Sequence, residues 1–229
     1  ALYYVYRGLS ENNIPFAKDR IYATGGSGGG NVTLMCNKLA PRTFACIADL
    51  SGMSRLTDDI AFNQPGGSRL NARYAPDPES PRYLSVDAQA LRFPGHPGHT
   101  RIMKSLGNTC RAVVIHGEKD ISCLVEDTRE MVANMRKAGL RVDPHIITPA
   151  DVDGDLIRNA EHAIGDRTRL FFHFAGKYVT PGSGSMTQLD GPPDFLRREE
   201  IRYPTPHGAY IIDWESGFPE GRFERKPRT

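Results

Sequence analysis

Apolar positions in this chain gather in short clusters, and the clusters alternate between two spacings. Ile21-Tyr22-Ala23-Thr24 is a β-branched and aromatic run with polar residues before it, which predicts a strand. A glycine-rich turn follows, and then Val32, Leu34, Met35 and Leu39 recur at helical spacing as the expected buried positions. Phe44-Ala45-Cys46-Ile47-Ala48 predicts a second strand and Ala112-Val113-Val114-Ile115 a third, fully buried one. Val125, Met131, Val132 and Met135 mark another helix, Val142–Ile147 a last strand, and a helical pattern resumes from Ala163 to Phe172. Strands alternating with helices predict an α/β fold with a mostly parallel sheet flanked by helices. Residues 2–9 have the pattern of a helix leading into the first strand.

The turn between the first strand and its helix is Gly25-Gly26-Ser27-Gly28-Gly29. A serine placed there must sit on a tight, strained bend that holds its hydroxyl clear of the sheet. Gly25 and Gly29 would let strand and helix pass closely, and Gly28 would let a substrate reach the backbone N–H beside the serine. A phosphate-binding loop needs Gly-Lys-Ser/Thr, which is absent, and the dinucleotide spacing of three glycines is not matched. The third strand ends in His116-Gly117-Glu118-Lys119-Asp120, so Asp120 lies on a turn at the carboxyl edge of the sheet. Glu118 and Asp49, which ends the second strand, compete with it as the acid. His162 falls on a polar loop just before the last helix. The order Ser27, Asp120, His162 fits a nucleophile, a tautomer-fixing acid and a general base, in that sequence. His116 is expected to be structural, His96 and His99 to lie in a loop, and His173 to face or enter the core. No third ligand stands at a suitable distance from His96 and His99, so no metal site is expected.

Gly25-Gly26-Ser27-Gly28-Gly29, His116-Gly117-Glu118-Lys119-Asp120 and Glu161-His162-Ala163 together resemble the α/β-hydrolase superfamily, in its serine esterase and prolyl-oligopeptidase-like branches. The likeness covers residues 14–175. It implies helices around a mostly parallel eight-stranded sheet, no cofactor, and hydrolysis through an acyl-enzyme. The peptidase branch carries an aromatic residue directly after the serine. Gly28 stands there instead, which favours a carboxylic ester as substrate. A peptidase or amidase, and a catalytically silent subunit of hydrolase fold, are the alternatives. The family places four strands before the nucleophile strand, whereas about twenty residues precede it here, so the chain resembles the C-terminal half of the fold. The missing half normally supplies a second oxyanion donor, leaving the Gly28 N–H alone. A fragment, a subunit completed by a partner chain, or a homo-oligomer completing its own sheet would each account for this. A first residue of Ala rather than Met favours removal of an upstream segment.

Composition changes this picture little. The 229 residues carry a net charge of +2 with no block of one sign, which gives no reason to expect nucleic acid or an anionic membrane as partner. Mean hydropathy is −0.45 and no stretch is apolar enough to span a bilayer. Cys36, Cys46, Cys110 and Cys123 are scattered without metal-ligand spacing, pointing to small core residues, reduced thiols and the cytoplasm. Residues 53–108, rich in Pro, Gly and Arg, occupy the place of a lid over a substrate pocket, and their arginines suit an acidic or sugar-like substrate as well as a solvated surface. The catalytic unit is thus expected over residues 1–179. Residues 180–229 form an extension that opens on Pro181-Gly182-Ser183-Gly184-Ser185 and contains a β-hairpin around Pro204–Gly208 with the single tryptophan, Trp214.

Overall fold

Four of the apolar runs become parallel strands: β1 (Tyr22–Gly26), β2 (Cys46–Leu50), β3 (Arg111–Gly117) and β4 (Arg141–Ile147), paired in the order β1-β2-β3-β4. The computed structural model describes residues 2–227. The two inner strands are buried almost throughout, while β1 and β4 are half-exposed edges. Pro144 has no N–H to give a neighbour, and β4 tolerates it because it lies at an edge. Alternate residues of the inner strands feed two cores. Ile47, Ala112 and Val114 pack under α2 (Gly28–Leu39) and α6 (Val125–Lys137), with Leu34, Met131 and Met135. Cys46, Ala48, Val113 and Ile115 pack under α7 (Arg167–Val179), with Leu170 and Ala175. This is a partial α/β-hydrolase sheet: four strands stand where the resemblance implied eight, and the serine-bearing strand is an edge.

The helix that follows the serine is not buried on the face its apolar residues suggested. Val32 is 58% exposed, and Met35 and Leu39 are half-buried; of the four, Leu34 alone is enclosed. Thr33, Asn37 and Lys38 are buried instead. The cause is polar stitching by segments far along the chain. The Lys38 ammonium donates to the carbonyls of Leu91 and Phe93, and the Tyr203 hydroxyl donates to the Lys38 carbonyl. Asn108 donates to both Asn37 Oδ1 and the Pro41 carbonyl. Burial holds the Lys38 ammonium well below its ordinary pKa.

Between β2 and β3 the chain forms α3 (Asp58–Phe62), α4 (Val86–Leu91) and α5 (Pro97–Ser105). Leu56, Ile60, Ala61 and Leu84 give this segment a small core of its own. His96 lies in the loop, as its last residue and the cap of α5, but His99 does not: it sits in the first turn of the helix, fully buried. His99 Nε2–H donates to the Pro204 carbonyl at 2.7 Å, and burial drives its pKa down to about 3. His173 is an exposed residue of α7. Cys36 is exposed too, while the other three thiols are buried, and all four are free. Among the described residues no helix is long and apolar enough to cross a membrane.

Beyond α7, a short helix α8 (Asp194–Arg197) precedes an antiparallel sheet of β5 (Ile201–Thr205), β6 (Gly208–Asp213) and β7 (Glu220–Arg225). The third strand escaped the sequence pattern because Phe223 is its one apolar side chain and it lies on the surface. Ile201, Tyr203 and Thr205 face inward, alternating with exposed Arg202 and Pro204. Phe195, Ile201, Tyr203, Ile212 and Trp214 belong to the same core as Leu34 and Ile47. An ion pair anchors the start of this region: Asp194, 1% exposed, takes the Arg42 Nε–H at 2.7 Å, the Arg42 backbone N–H at 2.8 Å and the Thr43 hydroxyl at 3.1 Å. Removing one partner of a buried pair strands the other charge, so Asp194→Ala is expected to lower unfolding free energy by roughly 3 kcal/mol in urea denaturation. A change of about 0.5 kcal/mol, ordinary for a surface position, would refute this anchoring.

Candidate active site

Ser27, His162 and Asp120 converge at the carboxyl edge of β1–β3. Ser27 stands between β1 and α2 with φ 55° and ψ −123°, a conformation costly for a residue with a side chain. Two backbone bonds fix the bend, Ser27 N–H to the Leu50 carbonyl at 2.9 Å and Asn31 N–H to the Ser27 carbonyl at 3.1 Å. Gly25 is obligatory here: a Cβ on it would lie 2.2 Å from the Gly29 carbonyl oxygen. A Cβ on Gly28 or Gly29 would meet nothing within 4 Å, so the close passage of strand and helix rests on Gly25 rather than on both flanking glycines.

Ser27 Oγ is 2.8 Å from His162 Nε2, and His162 Nδ1 is 2.8 Å from Asp120 Oδ2. An ionised Asp120 only accepts, so Nδ1 carries the proton and Nε2 is left to accept from the serine hydroxyl. Asp120 is 3% exposed, and its Oδ1 accepts the N–H groups of Ser122 (2.8 Å) and Cys123 (2.9 Å), which hold the carboxylate in orientation. The two competing acids lie elsewhere. Glu118 is partly exposed and pairs with Lys119 and Arg129. Asp49 points beneath α2, against Gly30 and Gly52, with no hydrogen-bond partner for either oxygen.

The histidine loop is held by contacts the sequence reading did not single out. A Cβ on Gly117 would come within 2.3 Å of the Ala160 carbonyl oxygen and 2.4 Å of that of Glu161. The bare Gly117 therefore lets the loop lie directly on the end of β3, where Lys119 N–H also bonds the Ala160 carbonyl at 2.8 Å. Asn159 closes the loop on itself, accepting from Glu161 N–H and donating to the Ala163 carbonyl. His116 lies behind the acid, fully buried. Its Nε2–H donates to the Cys123 carbonyl at 2.7 Å and Nδ1 accepts from the Thr128 hydroxyl, itself bonded to Ser54. Burial keeps this imidazole below its ordinary pKa and hence neutral, so it braces the Asp120 turn.

Asp120, Cys123 and His162 are also the one set of potential metal ligands grouped among the described residues, within 4.8 Å of one another. The Asp120 and His162 atoms are already engaged, and burial pushes the Cys123 thiol up to about 12, far from the thiolate a metal would want. Arg167, at the start of α7, lies across Gly26 so closely that a Cβ there would be 2.4 Å from its Nε. Residues 68 and 69 of the insertion run along the Asp120 turn, through Arg69 N–H to the Ile121 carbonyl and Ser68 Oγ to the Ser122 carbonyl.

The sequence of residues 4–181 matches the prolyl oligopeptidase family. Among solved structures, the chain is similar to the uncomplexed acylaminoacyl peptidase of Pyrococcus horikoshii, at 16% identity and a TM-score of 0.52, over 76% of this chain and 26% of that one. It is likewise similar to a puromycin-hydrolyzing peptidase of Mycobacterium tuberculosis, at 15% identity and a TM-score of 0.52, over 83% of this chain and 25% of that one. The chain thus spans about a quarter of the length of these structures, and at such identities the likeness is one of fold. No curated protein matches its sequence.

The Gly117 contact gives a direct test of how the histidine is held. Gly117→Ala must push the 160–161 backbone away and carry His162 with it. A shift of this kind is expected to slow modification of Ser27 by about 10²-fold with the chain still folded. An unchanged rate in a folded variant would show that the loop is positioned by something else.

Proposed function

The chain belongs to the prolyl oligopeptidase family, and on that premise we propose that it is a serine hydrolase that cleaves a carboxylic ester through an acyl-enzyme on Ser27. The observation that carries the reading is the unbroken hydrogen-bonded line from Ser27 Oγ through His162 to Asp120. In the first half-reaction His162 Nε2 takes the Ser27 proton as Oγ attacks the acyl carbon, then delivers that proton to the departing alcohol oxygen. In the second half, water attacks the acyl-enzyme while His162 again removes and returns a proton. Asp120 holds Nδ1–H and offsets the charge of the imidazolium. The Gly28 N–H, at the positive end of α2, is the donor to the acyl oxyanion. No cofactor enters these steps. The absence of an aromatic residue after Ser27, with open space at Gly28, supports the ester over the amide.

A peptide or amide substrate is the second reading. What favours it is the family itself and the peptidases among the similar structures. On either reading the insertion over residues 53–108, lying along the Asp120 turn, shapes the substrate pocket. The remaining feature is the outer edge of β1. The Ile21 carbonyl and Ser27 N–H bond toward β2, so by alternation Tyr22, Thr24 and Gly26 turn their backbone groups outward, where no strand pairs among the described residues. A partner chain or a second copy is the natural occupant, adding a strand and a second oxyanion donor; an unpaired edge of this kind otherwise invites association.

A fluorophosphonate probe with mass-spectrometric mapping tests the chemistry. Labelling is expected at Ser27, absent in Ser27→Ala and lowered by at least about 10³-fold in His162→Ala. A folded chain that stays unlabelled would defeat the hydrolase reading for this polypeptide alone. Rates on p-nitrophenyl acetate against aminoacyl anilides then divide ester from amide, faster turnover of the ester being expected. Light scattering should report a mass above that of the single chain, and a monomer at every concentration would argue against pairing along β1.

A further inference from the structure

Asp49 is the last residue but one of β2, on the face that carries α2, level with Gly25 of β1 and Val114 of β3. It is fully enclosed, and neither carboxyl oxygen has a hydrogen-bond partner. Two glycines make the hollow that holds it: a Cβ on Gly30 would lie 2.1 Å from Oδ1, and one on Gly52 would lie 2.2 Å away. Gly30 belongs to the first turn of α2, the turn that begins directly after Ser27. A site so closed would ordinarily hold an apolar side chain, because an unpaired buried carboxylate is costly. Burial accordingly pushes the Asp49 carboxyl up to about 7. The Gly52 N–H faces it and partly offsets this, without reaching hydrogen-bond geometry. Among titratable groups on the surrounding elements, the Cys123 thiol is near and is kept neutral by burial. Lys38, further along α2, and His116, at the end of β3, offer no compensating attraction.

We propose that Asp49 is a positioning residue for the oxyanion site. As a neutral acid it fills the hollow under the first turn of α2, and when ionised it competes with the substrate oxyanion for the field of the same backbone N–H groups. The proposal rests on the hydrolase reading above. The free N–H groups at a helix start carry about half a positive charge, which is what stabilises a developing oxyanion at Gly28. Neutral Asp49 leaves that field to the substrate. On losing its proton to solvent it becomes an anion already seated at the same helix end, in dry protein where screening is weak. A second anion forming on the substrate side is then disfavoured, and reprotonation reverses the effect.

Two opposed requirements follow for catalysis: His162 must be unprotonated and Asp49 must be protonated. The test is the pH dependence of the second-order rate constant for fluorophosphonate modification of Ser27, from about pH 5 to about pH 9, in the wild-type chain and Asp49→Asn. The wild-type rate should rise as His162 loses its proton and then fall about tenfold above neutrality. In Asp49→Asn, neutral at every pH, the rise should remain and the fall should vanish, an outcome that a purely structural role would not produce. The same alkaline fall in both chains, or no fall in the wild type, overturns the proposal while leaving the hydrolase reading intact. Failure to react at any pH overturns that reading and this inference with it. If Asp49→Asn does not fold, infrared titration of the wild type decides. A buried carboxylic-acid C=O band must disappear over the pH range in which the rate falls, and its absence or a different range overturns the proposal.

Discussion

The site depends on one close approach, that of the Ala160 and Glu161 carbonyls to the bare Gly117 at the end of β3. β3 already carries the acid, two bonds deep in the Asp120 turn. Laying the histidine loop on the same strand end reduces the geometry of His162 against Asp120 to a local matter, independent of how α7 sits. The serine comes from a different direction, on a strained bend fixed by β1, β2 and the first turn of α2. The two halves meet because β1, β2 and β3 are parallel neighbours that all release their chains at the same edge. Parallel order does the long-range positioning, and glycines at 25 and 117 permit the last few ångströms.

Glycine serves a second purpose around β2. Gly30 and Gly52 are missing the Cβ atoms that would fill the space taken by Asp49. Buried polar groups recur on the same helix: Asn37 and Lys38 face inward, Lys38 bonded to residues 53 to 165 positions away and Asn37 to one 71 positions away. Asp49 differs in having no such partner. The structure thus spends apolar burial on the sheet and strong polar contacts on fixing α2, the helix that begins directly after Ser27.

The grouping of Ser27, Asp120 and His162 was legible in the sequence because each is tied to a local pattern: a glycine-flanked serine after a strand, an acid on the turn after a strand, a histidine on a polar loop before a helix. The four parallel strands were legible for the same reason, as each is a short apolar run. Asp120 was preferred to Asp49 from its place on the turn after β3, yet both lie near strand ends; side-chain direction separates them, and that depends on which face α2 covers. The burial of Lys38 and Asn37 in place of Val32 was hidden because their partners lie at the end of α4, in the loops on either side of α5, and in β5. His99 looked like a loop residue because two Pro-Gly pairs precede it, yet Pro97 opens α5 in the one position where a helix welcomes proline. β7 gave no signal because a surface strand with one aromatic side chain has no hydrophobic period to detect.

Tyr203 and Trp214 close the core over α2, so the helix that follows Ser27 is finished only by residues made much later. A ribosome adding roughly 5–20 residues per second would hold the serine strand and its helix waiting on the order of ten seconds before those aromatic rings emerge. During that interval the nascent chain presents β1 and the polar inner face of α2 without their coverings. Vectorial synthesis therefore gives this fold a long vulnerable interval, and its yield in a cell depends on what shields the growing chain until Trp214 arrives.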